Sequence, residues 1–252
     1  MRSDVRQVVT LAAHGARFLE IGGRAPELLT THRAFATVHA MEFRRSGAIH
    51  GGILAESVAP WFRRLEHEGV VLVRPLLSTC PLSSASEAVW GVLTDGDRGM
   101  EIWRPNWRAR VAGHDDPKPF RVTYTAERFS RWHQPAVLPV EESTERLAIA
   151  LSDVADRLKR SGHSERAFAI TRCLDLHLEG ESSLAPQDEI WPECTPVPTQ
   201  PLLASAVRVA TVISHAKVTP SAPDADLYAR LWTECMLAFE AANPAASAQQ
   251  AA

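Results

Sequence analysis

Residues 89–111 read VWGVLTDGDRGMEIWRPNWRARV, and residues 119–132 read PFRVTYTAERFSRW. Four of the chain's seven tryptophans fall here, between Trp90 and Trp132. Aromatic and β-branched residues fit a pleated, half-buried surface, so this block reads as strand. Asp95-Gly96-Asp97-Arg98-Gly99 suits a hairpin connection, because its glycines can take positive φ. Pro105-Asn106 reads as a second turn, with a strand over 107–111 after it. Gly113-His114-Asp115-Asp116-Pro117 reads as another turn, and 120–125 as a further strand. Links this short cannot make parallel crossovers, so the expected topology is a sequential antiparallel meander.

Outward from the block, the signal turns helical on both sides. Val5, Val8, Val9, Ala12, Ala16 and Leu19 recur at spacings of three and four, which predicts a helix over 4–20 ended by Gly22-Gly23. Pro26 fits the first turn of a second helix running towards Arg45, with Leu29, Phe35, Val38 and Met41 as its apolar side. Ile53, Leu54, Val58, Trp61, Phe62 and Leu65 predict a third, capped by Gly69. VVLV at 70–73 reads as a short buried strand. Beyond Pro139 four helices are expected. Leu147, Leu151, Val154 and Leu158 mark the first, with acidic residues at its start and basic ones at its end, as the helix dipole favours. Ala167, Ile170, Leu174 and Leu178 mark the second. Leu202, Ala206, Val209 and Ile213 mark the third. Leu227, Leu231, Trp232, Cys235 and Phe239 mark the fourth, with Asp224 as its N-cap.

Composition narrows the class. The chain has 252 residues, 45% hydrophobic and 23% charged, as in an ordinary globular protein. No apolar run approaches the ~18 residues that span a membrane. The apolar patch near the start is short and broken by His14, which argues against a signal peptide, so the expected compartment is the cytoplasm. Ala, Arg and Pro are abundant, as in a GC-rich bacterial gene. Cys80, Cys173, Cys194 and Cys235 form no CxxC and read as free thiols. Residues 1–131 carry 18 Lys/Arg against 14 Asp/Glu, and residues 132–252 carry 9 against 16. That bias in the first half falls well below what nucleic-acid binders usually show.

Motifs for common chemistries are missing. There is no GxGxxG, GxxxxGK[ST], GxSxG or HExxH. Cys173 and His177 lie four apart on an expected helix, on one side, as two metal ligands would. They also border an apolar stripe, where a thiol and an imidazole fit without function. His114-Asp115-Asp116 is an acid–base cluster in a turn, with turn geometry as its plainer explanation. Trp103 and Trp107 flank the expected turn at 105–106, and Arg104, Arg108, Arg110 and Arg121 supply charge nearby. Together they are the expected partner-binding surface.

A longer pattern carries a resemblance. A helix and a Gly turn are followed by PWFRRLEHEG, then VVLVRP, a loop and AVWGVLTDGDRG. Over about residues 26–99 this order resembles a winged helix-turn-helix. The resemblance implies a recognition helix over 60–69, with Arg63 and Arg64 reaching phosphates or bases and Arg74 leading into the wing. Some members of that class bind peptides along the wing edge instead.

The expected fold is therefore α+β: N-terminal helices, a small antiparallel meander sheet and a C-terminal bundle of about four helices. Residues 1–135 form the helical segment with the meander, 136–243 the helical lobe, and 244–252 a frayed tail. The expected function is a soluble, non-catalytic accessory or interaction protein that binds a protein or peptide partner through its sheet face, without cofactor. The alternatives are a winged-helix-like nucleic-acid binder, and an enzyme or metal protein with an unfamiliar site.

Overall fold

The computed structural model describes residues 3–46, 52–77, 90–109, 118–129, 137–183, 199–216 and 225–243. The expected turn at 113–117, Asp224 and the tail after Pro244 lie outside them. The chain is mixed α and β. Among the described residues six strands form one sheet: β1 (Val38–Arg45), β2 (Ile53–Ala55), β3 (Leu72–Leu77), β4 (Trp90–Asp95), β5 (Glu101–Ala109) and β6 (Phe120–Arg128). The helices of ten residues or more are α1 (Ser3–Ile21), α3 (Val58–His67), α4 (Val140–Arg160), α5 (Ser164–Leu178), α6 (Gln200–His215) and α7 (Ala225–Ala241). A single helical turn, α2 (Leu28–Thr31), lies between α1 and β1.

The sheet corrects the expected meander. Its order is β2-β1-β6-β5-β4-β3. β3, β4, β5 and β6 do run antiparallel in sequence, but β1 lies parallel to β6 from Val38 to Arg45. A mixed six-stranded sheet results. The cause is the segment 38–45, expected as the second half of a helix. Its Met41-Glu42-Phe43-Arg44 alternates between buried and part-exposed positions, the period-two pattern of a strand. The apolar residues at 35, 38 and 41 satisfy a helical period equally well, and packing against β6 decides between the two.

Pro105-Asn106 is likewise not a turn. β5 runs unbroken from Glu101 to Ala109 and pairs along its whole length with β6. Its pairing with β4 reaches only Trp103, so Pro105 lies where one side of the strand has no β4 neighbour. Pro75 is tolerated in β3 for a similar reason, since β3 is an edge strand. The hairpin over 95–99 and the Gly69 cap, with φ +67°, stand as expected.

The larger hydrophobic core joins the sheet, α1, α3 and α4 to α7, and a smaller cluster of Leu76, Leu93, Met100 and Ile102 lies apart from it. α1 is buried around its circumference: Val5, Gln7, Val9, Thr10, Leu11, Ala12, Ala13 and Phe18 are all inaccessible. α3 places Trp61, Phe62 and Leu65 against the same sheet face. In α4 to α7 the expected stripes are buried, except that Leu174 and Leu227 are half-buried and Leu178 is 69% exposed. The end of α7 reaches back to the sheet, where Asn243 Nδ2 donates to the Val73 carbonyl at 2.9 Å.

Candidate interaction surface

Strand alternation splits the expected arginine and tryptophan set in two. Trp103, Pro105 and Trp107 of β5 face the core, and Arg104, Asn106 and Arg108 face outward, because successive side chains take opposite faces. Trp103 is 0% exposed. Its ring stands 5.2 Å from Trp61 and 6.0 Å from Phe43, and its Nε1 donates to Thr94 Oγ1 at 3.0 Å. Phe43 stacks on Trp61 at 4.2 Å and on Tyr124 at 5.2 Å. Trp107 is half-buried, packs against this core and meets Phe120 edge-on at 5.6 Å. The tryptophans are thus core residues, contrary to their expected place beside the arginines on the binding face.

The arginines lie on the other face. Residues paired across strands share a face, so the register reads as rows. Ala40, Arg121 and Arg108 make the first row, Glu42, Thr123 and Asn106 the second, and Arg44, Thr125 and Arg104 the third. Glu127, Ile102, Leu93 and Arg74 follow towards β3. Arg108, Asn106, Arg121 and Glu127 are exposed, and Thr123 and Thr125 are half-buried between them. Arg110 lies outside the described residues. Arg44 belongs to this face and was not expected. Its signal was the Met-Glu-Phe-Arg alternation, concealed by the helical reading of that segment.

Carboxylates offset part of the charge. Glu42 accepts from Arg44 Nη2 at 2.8 Å and lies 3.4 Å from Arg121 Nη1. Glu127 lies 3.3 Å from Arg104 Nε. Arg108 and Arg121 stand directly opposite each other across the β5–β6 pair. Like charges in that position are unfavourable for the sheet itself.

The residues of the other expected sites lie as follows. Arg63 and Arg64 are on the exposed side of α3, and Arg64 Nε is engaged by Glu68 Oε1 at 2.6 Å. Arg74 is 0% exposed, near Glu240 of α7, so it cannot reach a phosphate. The elements before α3 are the strands β1 and β2, where the winged-helix resemblance calls for a helix. His114, Asp115 and Asp116 lie outside the described residues.

Cys173 and His177 do share a side of α5, but both imidazole nitrogens are occupied. His177 Nε2 lies 2.9 Å from the Thr144 carbonyl, so it carries the proton, and Nδ1 accepts from Ser205 Oγ at 2.9 Å. No lone pair is left for a metal. Burial pushes the Cys173 thiol up to about 11, which keeps it protonated. Among the described residues no three His, Cys, Asp or Glu side chains group as a metal site. Ser205 and His177 form a buried tie between α4, α5 and α6, with Ser205 at 1% exposure.

Two further polar clusters stand inside the fold. Arg45 Nε donates to Glu101 Oε1 at 2.9 Å and its Nη1 to Glu68 Oε1 at 3.0 Å, with the guanidinium 5.7 Å from the Trp103 ring centroid. This network ties β1, α3 and β5 together. His14 and His32 meet edge-on at 5.4 Å, and His32 Nδ1 accepts from the Ala34 amide at 3.1 Å. Burial, then the neighbouring His32, pushes His14 down to about 4, so the pair is neutral at pH 7.

No family model matches the chain, and no curated protein or solved structure matches it.

Proposed function

We propose that the protein is a non-catalytic interaction protein that binds a protein or peptide partner through the outer face of β1, β6 and β5. One observation carries this reading: Arg108 and Arg121 are held opposite each other on an exposed sheet face, with Arg44 and Arg104 in a row nearby. A sheet that served only stability would place opposite or neutral pairs there. Open, charged sheet faces that resist self-association are natural places for a selective partner. No helix among the described residues is long and apolar enough to cross a membrane. The cytoplasm is the compartment we propose.

Site-directed photo-cross-linking tests this. A cross-linking residue in place of Asn106, at the centre of the face, should give a discrete adduct with one protein in host extract. The same residue in place of Arg63, on α3, should not. An adduct from position 63 alone, or none from position 106, overturns the proposal.

A further inference from the structure

We infer that the partner segment is acidic and extended, recognised by its carboxylates; this rests on the outer sheet face being the binding surface. The four arginines exceed the two glutamates that accompany them on the described face, Glu42 and Glu127. Arg121 and Arg108 occupy one row, and Arg44 and Arg104 another four residues along. At ~3.3 Å per residue those rows are ~13 Å apart. Side chains i and i+4 of an extended peptide are separated by the same length and point the same way. An acidic residue at each of these positions would meet one arginine row, and the residue at i+2 would meet Thr123 and Asn106, in the row that also holds Glu42. Arginine suits the task, because its planar fork takes a carboxylate through two parallel hydrogen bonds.

Nucleic acid fits the same face less well. Single strands are held by aromatic platforms on which bases stack. Here Trp103, Trp107 and Tyr124 face the core, and the three outward rows that span β1, β6 and β5 hold Thr, Asn, Arg, Glu and Ala, with Ile102 in the next row. A charge excess this small would also neutralise few phosphates of a duplex.

The test uses the whole chain and two labelled probes, a ten-residue poly-glutamate peptide and a ten-residue oligothymidylate. Fluorescence anisotropy at low salt should show the peptide binding and the oligonucleotide binding at least tenfold more weakly. Arg108→Glu/Arg121→Glu should weaken the peptide at least tenfold, and Arg108→Gln/Arg121→Gln by less, with circular dichroism unchanged in both. Peptide binding that is absent, or equal in the charge-reversed variant, overturns the inference, as does tighter binding of the oligonucleotide. The cross-link at position 106 separates this from the broader reading. An adduct there beside a silent peptide means that the surface stands and its acidic chemistry does not. Loss of both removes the surface as well.

Discussion

The two faces of β5 are built from one nine-residue strand and behave as different materials. On the inner face, Trp103 is enclosed by Trp61 and Phe43, and its one polar atom is satisfied by Thr94. On the outer face, a single peptide unit away, Arg104 and Arg108 stand at or near the surface beside Arg121. The inner face is organised for stability, with every large ring in contact with another. The outer face keeps a like-charge pair that does nothing for stability. The contrast shows where function should be sought: on the side where the local arrangement runs against the interest of the fold.

Trp103→Ala removes the largest inner-face contact and should cost about 3–5 kcal/mol in urea unfolding. A loss below about 1 kcal/mol would mean that the aromatic face is not the keystone described here. Arg45→Ala strips the guanidinium from Glu68 and Glu101 at the end of the same face. Its cost should approach, without exceeding, the ~3–5 kcal/mol of a fully buried pair, since 17% of the Arg45 side chain remains exposed.

The same network gives a pH dependence. Burial pushes the Glu68 carboxyl up, but hydrogen bonds from Arg45 and Arg64 and the charge of Arg98 outweigh it, so the group sits below its ordinary value of 4.5. A carboxylate lowered in the folded state adds stability that is present above 4.5 and lost as pH falls through the folded value. Thermal unfolding of wild type should therefore steepen its decline below pH 4.5, and Arg45→Ala should show a shallower acid limb. Identical limbs would remove the network as a cause.

Ser205→Ala leaves His177 Nδ1 buried without its donor and should cost about 1–3 kcal/mol. A neutral result would show that water replaces the hydroxyl. The smallest effect belongs to the outer face. Arg108→Gln should change stability by no more than about 0.5 kcal/mol, and in the stabilising direction, because a like-charge neighbour is removed. A large destabilisation would end the distinction between the faces.

Much of the fold was legible where periodicity was unambiguous. The buried stripes of α1, α4 and α6 and the hairpin at 95–99 follow from spacing and glycine placement alone. Two local signals misled. Proline and asparagine at 105–106 are turn formers, yet the β6 pairing carries β5 straight through them. The segment 38–45 offers apolar residues that satisfy two periods, and only its distant partner β6 selects one. The face proposed for binding was legible in its parts: Arg104, Arg108 and Arg121 stand together on the outer side. Arg44 was missed because a misassigned helix hid its alternation. The tryptophans were misplaced because an imagined turn broke the parity that sends 103 and 107 inward.

The Asn243 cap on β3 has a consequence in time. Val73 and Asn243 are 170 residues apart in the chain. At synthesis rates of 5–20 residues per second, that interval is roughly 10–30 s. Until Asn243 is made, the Val73 carbonyl of this edge strand lacks its side-chain donor, and unpaired groups on a strand edge are the kind of surface on which another chain can pair. Asn243, just past α7, supplies that donor, so this part of the β3 edge is completed only when the final described helix is in place.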